Sequence, residues 1–309
     1  MKNTRIYLIS ASAGALAAVI AMILFGFMDR KEPDAEANSQ YARQITEKYR
    51  VFSLPMPENI NFAGEQVPLT EWDVRERMDR ELLVNTYWQS NTLLAIKRAH
   101  RWFPVIEPIL EKNGVPDDFK YLAVIESSLT MAVSPSGAVG FWQFLDATGK
   151  QYGLEINEDI DERYHVEKST EAACKYLKES YTRFGSWTMA AGSYNMGQNG
   201  LSKQVERQGV NEYWKLLLNE ETSRYVFRML AVKEILSNPD QYGFVIRPAD
   251  LYEQLSFREV AVDTSITDFT QFARGYGISY KDLKLYNPWL RQASLKNKTG
   301  KEYQVKIPA

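Results

Sequence analysis

The 309-residue chain has almost no cysteine or histidine: one Cys, at position 174, and two His, at positions 100 and 165. A lone cysteine excludes an internal disulfide, and its mid-chain position rules it out as an N-terminal lipid-bearing residue. Its neighbours, Glu171-Ala172-Ala173-Cys174-Lys175-Tyr176-Leu177, read as a helix in which Cys is a small buried hydrophobe. So few imidazole and thiolate ligands, with no His-Glu-x-x-His pair, argue against metal catalysis, and no cofactor is expected. A Gly-x-Ser-x-Gly nucleophile elbow is also missing. An excess of either charge is lacking, with 37 Lys and Arg against 39 Asp and Glu and a net charge of -2, so no basic field points to nucleic acid or an acidic polymer. There are no internal repeats, and no strand pattern precedes about residue 244. The central body therefore reads as mostly helical.

What is present begins with a globular composition, 45% hydrophobic and 25% charged, on a chain long enough for one core and a smaller module. Aromatic residues reach 13%, with 7 Trp and 18 Tyr. Such rings stack on sugar faces and equally fill ordinary cores, so the enrichment alone decides nothing.

The first 28 residues suggest an address. Lys2 and Arg5 form a short tip (residues 1–5) before an uncharged run from Ile6 to Met28. As a helix that run would extend about 34 Å, enough to cross a hydrocarbon core of about 30 Å. A cleaved signal has a shorter apolar region, and the Ala35-Glu36-Ala37 triplet lies beyond the run. These features favour an uncleaved membrane anchor over 6–28, with the tip in the cytoplasm and the rest outside, over a removed signal segment, and either reading exports the catalytic part. The polar segment that follows, punctuated by Pro33, Pro55, Pro57 and Pro68, reads as a linker over 29–74 with one short helix near Ala42–Tyr49.

Thr70 followed by Asp73 resembles a capping box, and Val74, Met78, Leu82 and Leu83 recur at helical spacing, so a long helix is expected to about His100, broken at Pro104. Pro116, Asp117 and Asp118 announce the next helix, with Tyr121, Leu122, Ile125 and Leu129 on one face. Further helices are expected at Asp146–Tyr152, Lys168–Phe184, Thr188–Tyr194, Glu212–Leu218 and Ser223–Leu236. After Pro248 a strand (Phe257–Val262), two short helices (Ile266–Arg274 and Tyr280–Tyr286) and a second strand (Tyr303–Ile307) follow. The acidic stretch Glu158-Asp159-Ile160-Asp161-Glu162 lacks calcium-loop spacing and reads as a solvated loop. His165 reads as a structural or helix-start residue.

Glu126 stands beside Ile125 and one turn after Leu122, at the margin of an apolar face. Partial burial there favours the neutral carboxyl, the form that can protonate a glycosidic oxygen. Taken alone, such a glutamate is more often a solvated helix-edge residue. Its surroundings carry more weight. Tyr121-Leu-Ala-Val-Ile-Glu126-Ser127-Ser128 is followed by Ser134-Pro-Ser-Gly137-Ala-Val-Gly140-Phe-Trp142-Gln143, by Ala191-Gly-Ser-Tyr194-Asn195-Met-Gly197, and by Glu221-Thr-Ser-Arg-Tyr225-Val226.

In this order and spacing the four segments resemble the soluble lytic transglycosylase domain, a helical relative of goose-type lysozyme, and within it the membrane-bound murein transglycosylase D type. The resemblance covers about residues 75–247. It implies a mainly α, lysozyme-like catalytic domain that cleaves peptidoglycan glycan strands between N-acetylmuramic acid and N-acetylglucosamine without water. It further implies Glu126 as the single acid/base carboxyl, and substrate contacts from Ser127, Ser134, Gln143, Tyr194, Asn195 and Glu221. Ser, Gln, Asn and Tyr supply donors and acceptors suited to acetamido and hydroxyl groups. Gln143 and Asn195 also suit loop and cap satisfaction, and Glu221 suits a helix start. Trp142 and Phe141, where the family has Met and Leu, read as packing beneath the cleft. Residues 248–309 resemble a LysM-like βααβ module that binds N-acetylglucosamine-containing glycans. Here Asp263-Thr264-Ser265-Ile266 replaces the usual Gly-Asp-Thr-Leu, and the segment after Leu290 is longer. Glycan binding and a purely structural cap both stay open for this module.

Overall fold

The computed structural model describes residues 39, 40, 43 and 51–309. The apolar run 6–28 lies outside the described residues, as does all but Arg43 of the helix expected over Ala42–Tyr49. The chain divides into two compact units, residues 1–53 and residues 54–309, and the second holds every element named below.

Part of the segment expected to be a linker packs into the core. A hairpin of β1 (Asn61–Phe62) and β2 (Glu65–Gln66) turns through Ala63 and Gly64, both at positive φ. Ile60, Phe62 and Val67 are buried, and the Phe62 ring meets Phe119 edge-on at 5.2 Å. The short two-residue strands have no alternating run long enough to announce them.

The long helix breaks elsewhere than expected. α1 spans Trp72–Tyr87 and α2 spans Gln89–Lys112, separated at Trp88, while Pro104 and Pro108 lie inside α2. Each proline removes a backbone donor, but both stand on the exposed side, where water can satisfy the freed carbonyls. Ile106 and Leu110, fully buried on the opposite side, hold the helix by packing. The capping box expected at Thr70 does not form; Glu71 is the N-cap and makes no side-chain cap bond.

The 3₁₀ turn Asp117–Phe119 leads into α3 (Lys120–Ser127), the centre of the helical body, with Tyr121, Leu122, Ala123 and Val124 buried. The chain continues through α4 (Asp146–Gln151), α5 (Val166–Phe184), α6 (Trp187–Met196), α7 (Gln198–Gln208) and α8 (Glu220–Ser237), the last of which packs on α3. Helix α7 has a single buried residue, Leu201, and so no apolar stripe for periodicity to find. The helix expected over Glu212–Leu218 is only a 3₁₀ turn, Tyr213–Lys215. Cys174 is fully buried in α5, as its sequence context predicts.

The C-terminal region is βααβ. β3 (Phe257–Val262) pairs antiparallel with β4 (Tyr303–Pro308), Val260 opposite Val305, and α9 (Phe269–Gly275) and α10 (Tyr280–Tyr286) lie between them in sequence. α9 starts three residues later than expected because Asp268 accepts from Thr270 N at 2.7 Å as its cap. Ile266 instead forms a bridge with Leu295.

Candidate active site

Helix α3 ends in a left-handed turn: Ser128 has φ 50° and Leu129 φ 54°. Gln143, in the glycine-containing loop that follows, has φ 49°. Three of the four non-glycine residues with positive φ among the described residues thus stand in these two segments. Such backbone strain concentrates where surrounding contacts over-determine a functional geometry.

Glu126 sits in the last turn of α3, half-buried. Its Oε1 accepts a short hydrogen bond from the Tyr225 hydroxyl of α8. Arg228, one turn further along α8, donates to the Ile125 carbonyl at 2.8 Å and brings its charge near the carboxyl. Burial is the largest influence on Glu126 and raises its proton affinity. Tyr225 and Arg228 pull the other way, the charge of Glu221 adds to the rise, and the net result lies above the ordinary glutamate value. Glu221, Tyr225 and Arg228 are spaced i, i+4, i+7, so one stripe of α8 holds all three. Tyr225 and Arg228 were not among the expected site residues. The spacing from Glu221 was the available signal.

The loop facing α3 is built by internal hydrogen bonds. The Ser127 hydroxyl donates to Ala123 O and Phe141 O, both at 3.1 Å, and the residue is buried. Ser127, expected to touch substrate, ties helix to loop through these bonds. The Ser134 hydroxyl accepts from Ala138 N at 3.0 Å and pairs with Ser136 Oγ at 2.9 Å. The Gln143 amide donates to Gly140 O at 2.7 Å and Ala132 O at 3.1 Å. Trp142 and Phe141 pack, as the sequence suggests: Trp142 is fully buried, with Nε1 donating to Thr170 Oγ1 at 2.9 Å. Gly140 has φ 79°, and a Cβ there would lie 2.2 Å from the Arg163 carbonyl oxygen.

Helix α6 closes the arrangement. The Tyr194 hydroxyl donates to Trp142 O at 2.8 Å, and its ring meets Phe144 and Tyr176 at 5.9 and 5.0 Å. Burial, followed by the charge of Glu126, holds the Tyr194 phenol well above its ordinary value. Asn195 donates to Glu221 Oε1 at 2.9 Å and accepts from Thr222 Oγ1 at 2.7 Å. Glu221 itself is exposed. The structure thus links Glu126, Asn195 and Glu221 through α8, while Tyr194 bonds to the loop at Trp142 O. Ser134 and Gln143 lie on the loop that Ser127 fastens to α3.

The acidic stretch, expected to be solvated, is exposed at Glu158 but buried at its end. Asp161 and Glu162 are 7% and 3% exposed, because Arg163 pairs with Asp161 and Lys168 with Glu162. Two surface depressions, one around Tyr152, Lys175 and Glu179 and one around Glu65, Ser186 and Trp214, include none of the expected site residues.

Two stretches of the chain match known families. Residues 104–217 are similar to the transglycosylase SLT domain, and residues 258–309 to the soluble lytic transglycosylase C-terminal LysM-like domain. It is similar to the membrane-bound lytic murein transglycosylase D of Escherichia coli strain K12, with 29% identity over 241 residues, or 76% of this chain and 51% of the relative. The protein of the same name from Escherichia coli O6:H1 gives the same figures. The chain therefore spans about half the length of the curated relatives it matches.

Proposed function

We propose that this protein is a peptidoglycan lytic transglycosylase with Glu126 as its acid and base. The observation that carries the reading is a half-buried carboxyl, raised in proton affinity and bonded to Tyr225, at the end of the helix facing the Ser134–Gln143 loop. Ordinary glycosidases use two carboxyl groups about 5–9.5 Å apart. Here one carboxyl acts twice, and the substrate supplies the nucleophile.

Glu126 gives its proton to the oxygen joining N-acetylmuramic acid to N-acetylglucosamine, and the C1–O bond breaks. The muramyl acetamido carbonyl oxygen bonds to its own C1, forming an oxazolinium-like ring. Ionised Glu126 then takes the proton from the C6 hydroxyl, and O6 displaces the acetamido oxygen to close a 1,6-anhydro ring. The proton returns to Glu126 and no water is consumed. Burial favours the donor state at the start, while Tyr225 and Arg228 support the carboxylate in between. Tyr194 spends its own hydrogen on Trp142 O, which leaves its oxygen an acceptor suited to an acetamido N–H. Asn195, held by Glu221 and Thr222, retains one amide N–H for a sugar oxygen. In this reading Ser134 and Gln143 contact the same sugars from the loop, and Glu221 does so from the exposed start of α8.

We place the catalytic domain at residues 75–247, with the buried part of the preceding segment added to its core, and the LysM-like module at 248–309. Residues 6–28 serve as the membrane anchor and hold the catalytic part in the cell envelope, on the periplasmic side.

Digestion of purified peptidoglycan followed by mass spectrometry tests the reading. The expected muropeptides are lighter than hydrolytic products by one water, and Glu126→Gln abolishes them. Products with reducing ends would make the protein a hydrolase, and undiminished cleavage by Glu126→Gln would remove the assigned acid.

A further inference from the structure

The stretch from Glu155 to Glu167 lies between the C-terminal module and the loop that carries Ser134 and Gln143, and it bonds to both. Toward the module, Ile160 bridges Leu290, Asp161 N donates to Trp289 O at 2.9 Å, and Arg291 N donates to Asp159 O at 2.8 Å. Ion pairs join Lys306 to Glu167 and Lys301 to Glu155. The Arg291 guanidinium lies 4.0 Å from the Tyr164 ring centroid. These backbone bonds, charges and ring contacts fix orientation as well as proximity.

Toward the loop, one side chain does most of the holding. Arg163 is 9% exposed and is oriented by Asp161 through bonds of 2.9 and 2.7 Å. Its Nη1 then donates to Gly137 O at 3.1 Å and Phe144 O at 3.2 Å, which bracket the turn containing Gly140. Val139, inside that turn and 4% exposed, belongs to the same apolar cluster as Ile160, Tyr164, Trp289 and Leu290. The module's core therefore extends into the loop. A module tethered only to bind polymer needs none of this continuity.

We infer that the C-terminal module is a working part of the catalytic centre: through the 155–167 stretch and the positioning residue Arg163 it fixes the loop bearing Ser134 and Gln143, and so governs turnover. The inference rests on the transglycosylase reading above. Glu167 shows how firmly the contact is made. Burial pushes its carboxyl up, yet the His165 ring 3.1 Å away and the charge of Lys306 outweigh burial and bring it down to about 2.

The Glu167–Lys306 pair provides the test, on the full chain in detergent. Glu167→Lys and Lys306→Glu each place like charges across the contact, and the double exchange restores opposite ones. On a short soluble peptidoglycan fragment, each single variant should lower kcat about 10-fold with little change in KM, and the double variant should recover most of it. Arg163→Lys keeps the charge beside Asp161 but loses the fork to the two carbonyls, so it should lower kcat without weakening sedimentation with insoluble peptidoglycan. The inference is overturned if the single variants keep normal kcat on the fragment and lose only sedimentation, or if the double exchange restores nothing. Should the unaltered protein show no turnover, the enzymatic reading fails by itself. Hydrogen exchange over residues 132–144 then decides the coupling: faster in the single variants and recovered in the double supports it, and unchanged rates sink it.

Discussion

Tyr225 on α8 donates its hydroxyl hydrogen to Glu126 on α3, so the proposed acid carboxyl is held by a helix nearly one hundred positions away in sequence. The bond favours the ionised form of Glu126 and opposes the effect of burial. Tyr225→Phe removes it, and the proton affinity of Glu126 rises further. Because the acid must start protonated, the alkaline limb of the kcat profile should move to higher pH. The carboxylate formed after the first proton transfer loses a bond worth about 1.5–3 kcal/mol, so the maximal rate should fall roughly 10- to 100-fold. A pH–rate series on both proteins checks limb and height together; an unmoved limb would separate Tyr225 from the titrating group.

Glu126 also sets a pH dependence of stability. Its folded-state proton affinity lies above the unfolded value of 4.5, so below about pH 4.5 both states are protonated and no difference arises. As pH rises the unfolded chain releases the proton first, and stability is lost until the folded-state carboxyl also ionises. Glu126→Gln cannot ionise, yet its amide oxygen still accepts from Tyr225. The variant should therefore melt higher than the unaltered protein at neutral pH, and the gap should close toward pH 4. Equal melting temperatures at pH 7 would contradict the buried, proton-retaining carboxyl.

Much of this arrangement is legible in the sequence, and the failures have physical causes. α3, α5, α6 and α8 carry apolar positions at helical spacing and sit close to where that spacing puts them. The βααβ unit is legible for the same reason, from alternating strands and short capped helices. α7 has little apolar face to detect, and α2 runs through two prolines because its buried side compensates on the other face. At the site, Glu126 stands out by its four-segment context. Ser127 shares that context, but no local pattern reveals that its hydroxyl is spent on the Phe141 carbonyl. Nor does any local pattern tell that Asp161, read as part of a solvated loop, is the buried partner of Arg163. Pairing across folded segments is a tertiary property, invisible to periodicity.

Gly140 is the tightest point of the loop. A methyl group there would overlap the Arg163 carbonyl at 2.2 Å, and the residue already holds φ 79°, which L side chains rarely adopt. Gly140→Ala should cost roughly 2 kcal/mol or more in stability, since the backbone neighbour cannot rotate away as a side chain would. Activity should fall more steeply than stability, because the displaced segment carries Gln143. Calorimetry beside initial rates separates the two effects; a normal melting temperature with normal kcat would mean the loop has room that the geometry denies.

Glu81 is 1% exposed on α1 and accepts from Arg224 Nε at 2.6 Å, from Arg224 Nη2 at 3.3 Å and from Arg80 at 3.0 Å. Arg224 immediately precedes Tyr225, so the pair fastens α1 to the part of α8 that holds the acid carboxyl. Removing one member of a fully buried pair costs about 3–5 kcal/mol, mostly from stranding the other charge. Arg224 retains 27% side-chain exposure and can recruit water, so Glu81→Ala should cost less, about 2–3 kcal/mol. Replacing both members, as in Glu81→Leu with Arg224→Met, removes the stranded charge and should recover most of the stability. Activity should separate from stability in that double variant. With α8 no longer fixed by directional bonds, Tyr225 meets Glu126 less well and kcat stays reduced even where the melting temperature returns. Full recovery of both would show that packing alone aligns the two helices, and that the ion pair contributes only charge neutrality to the site.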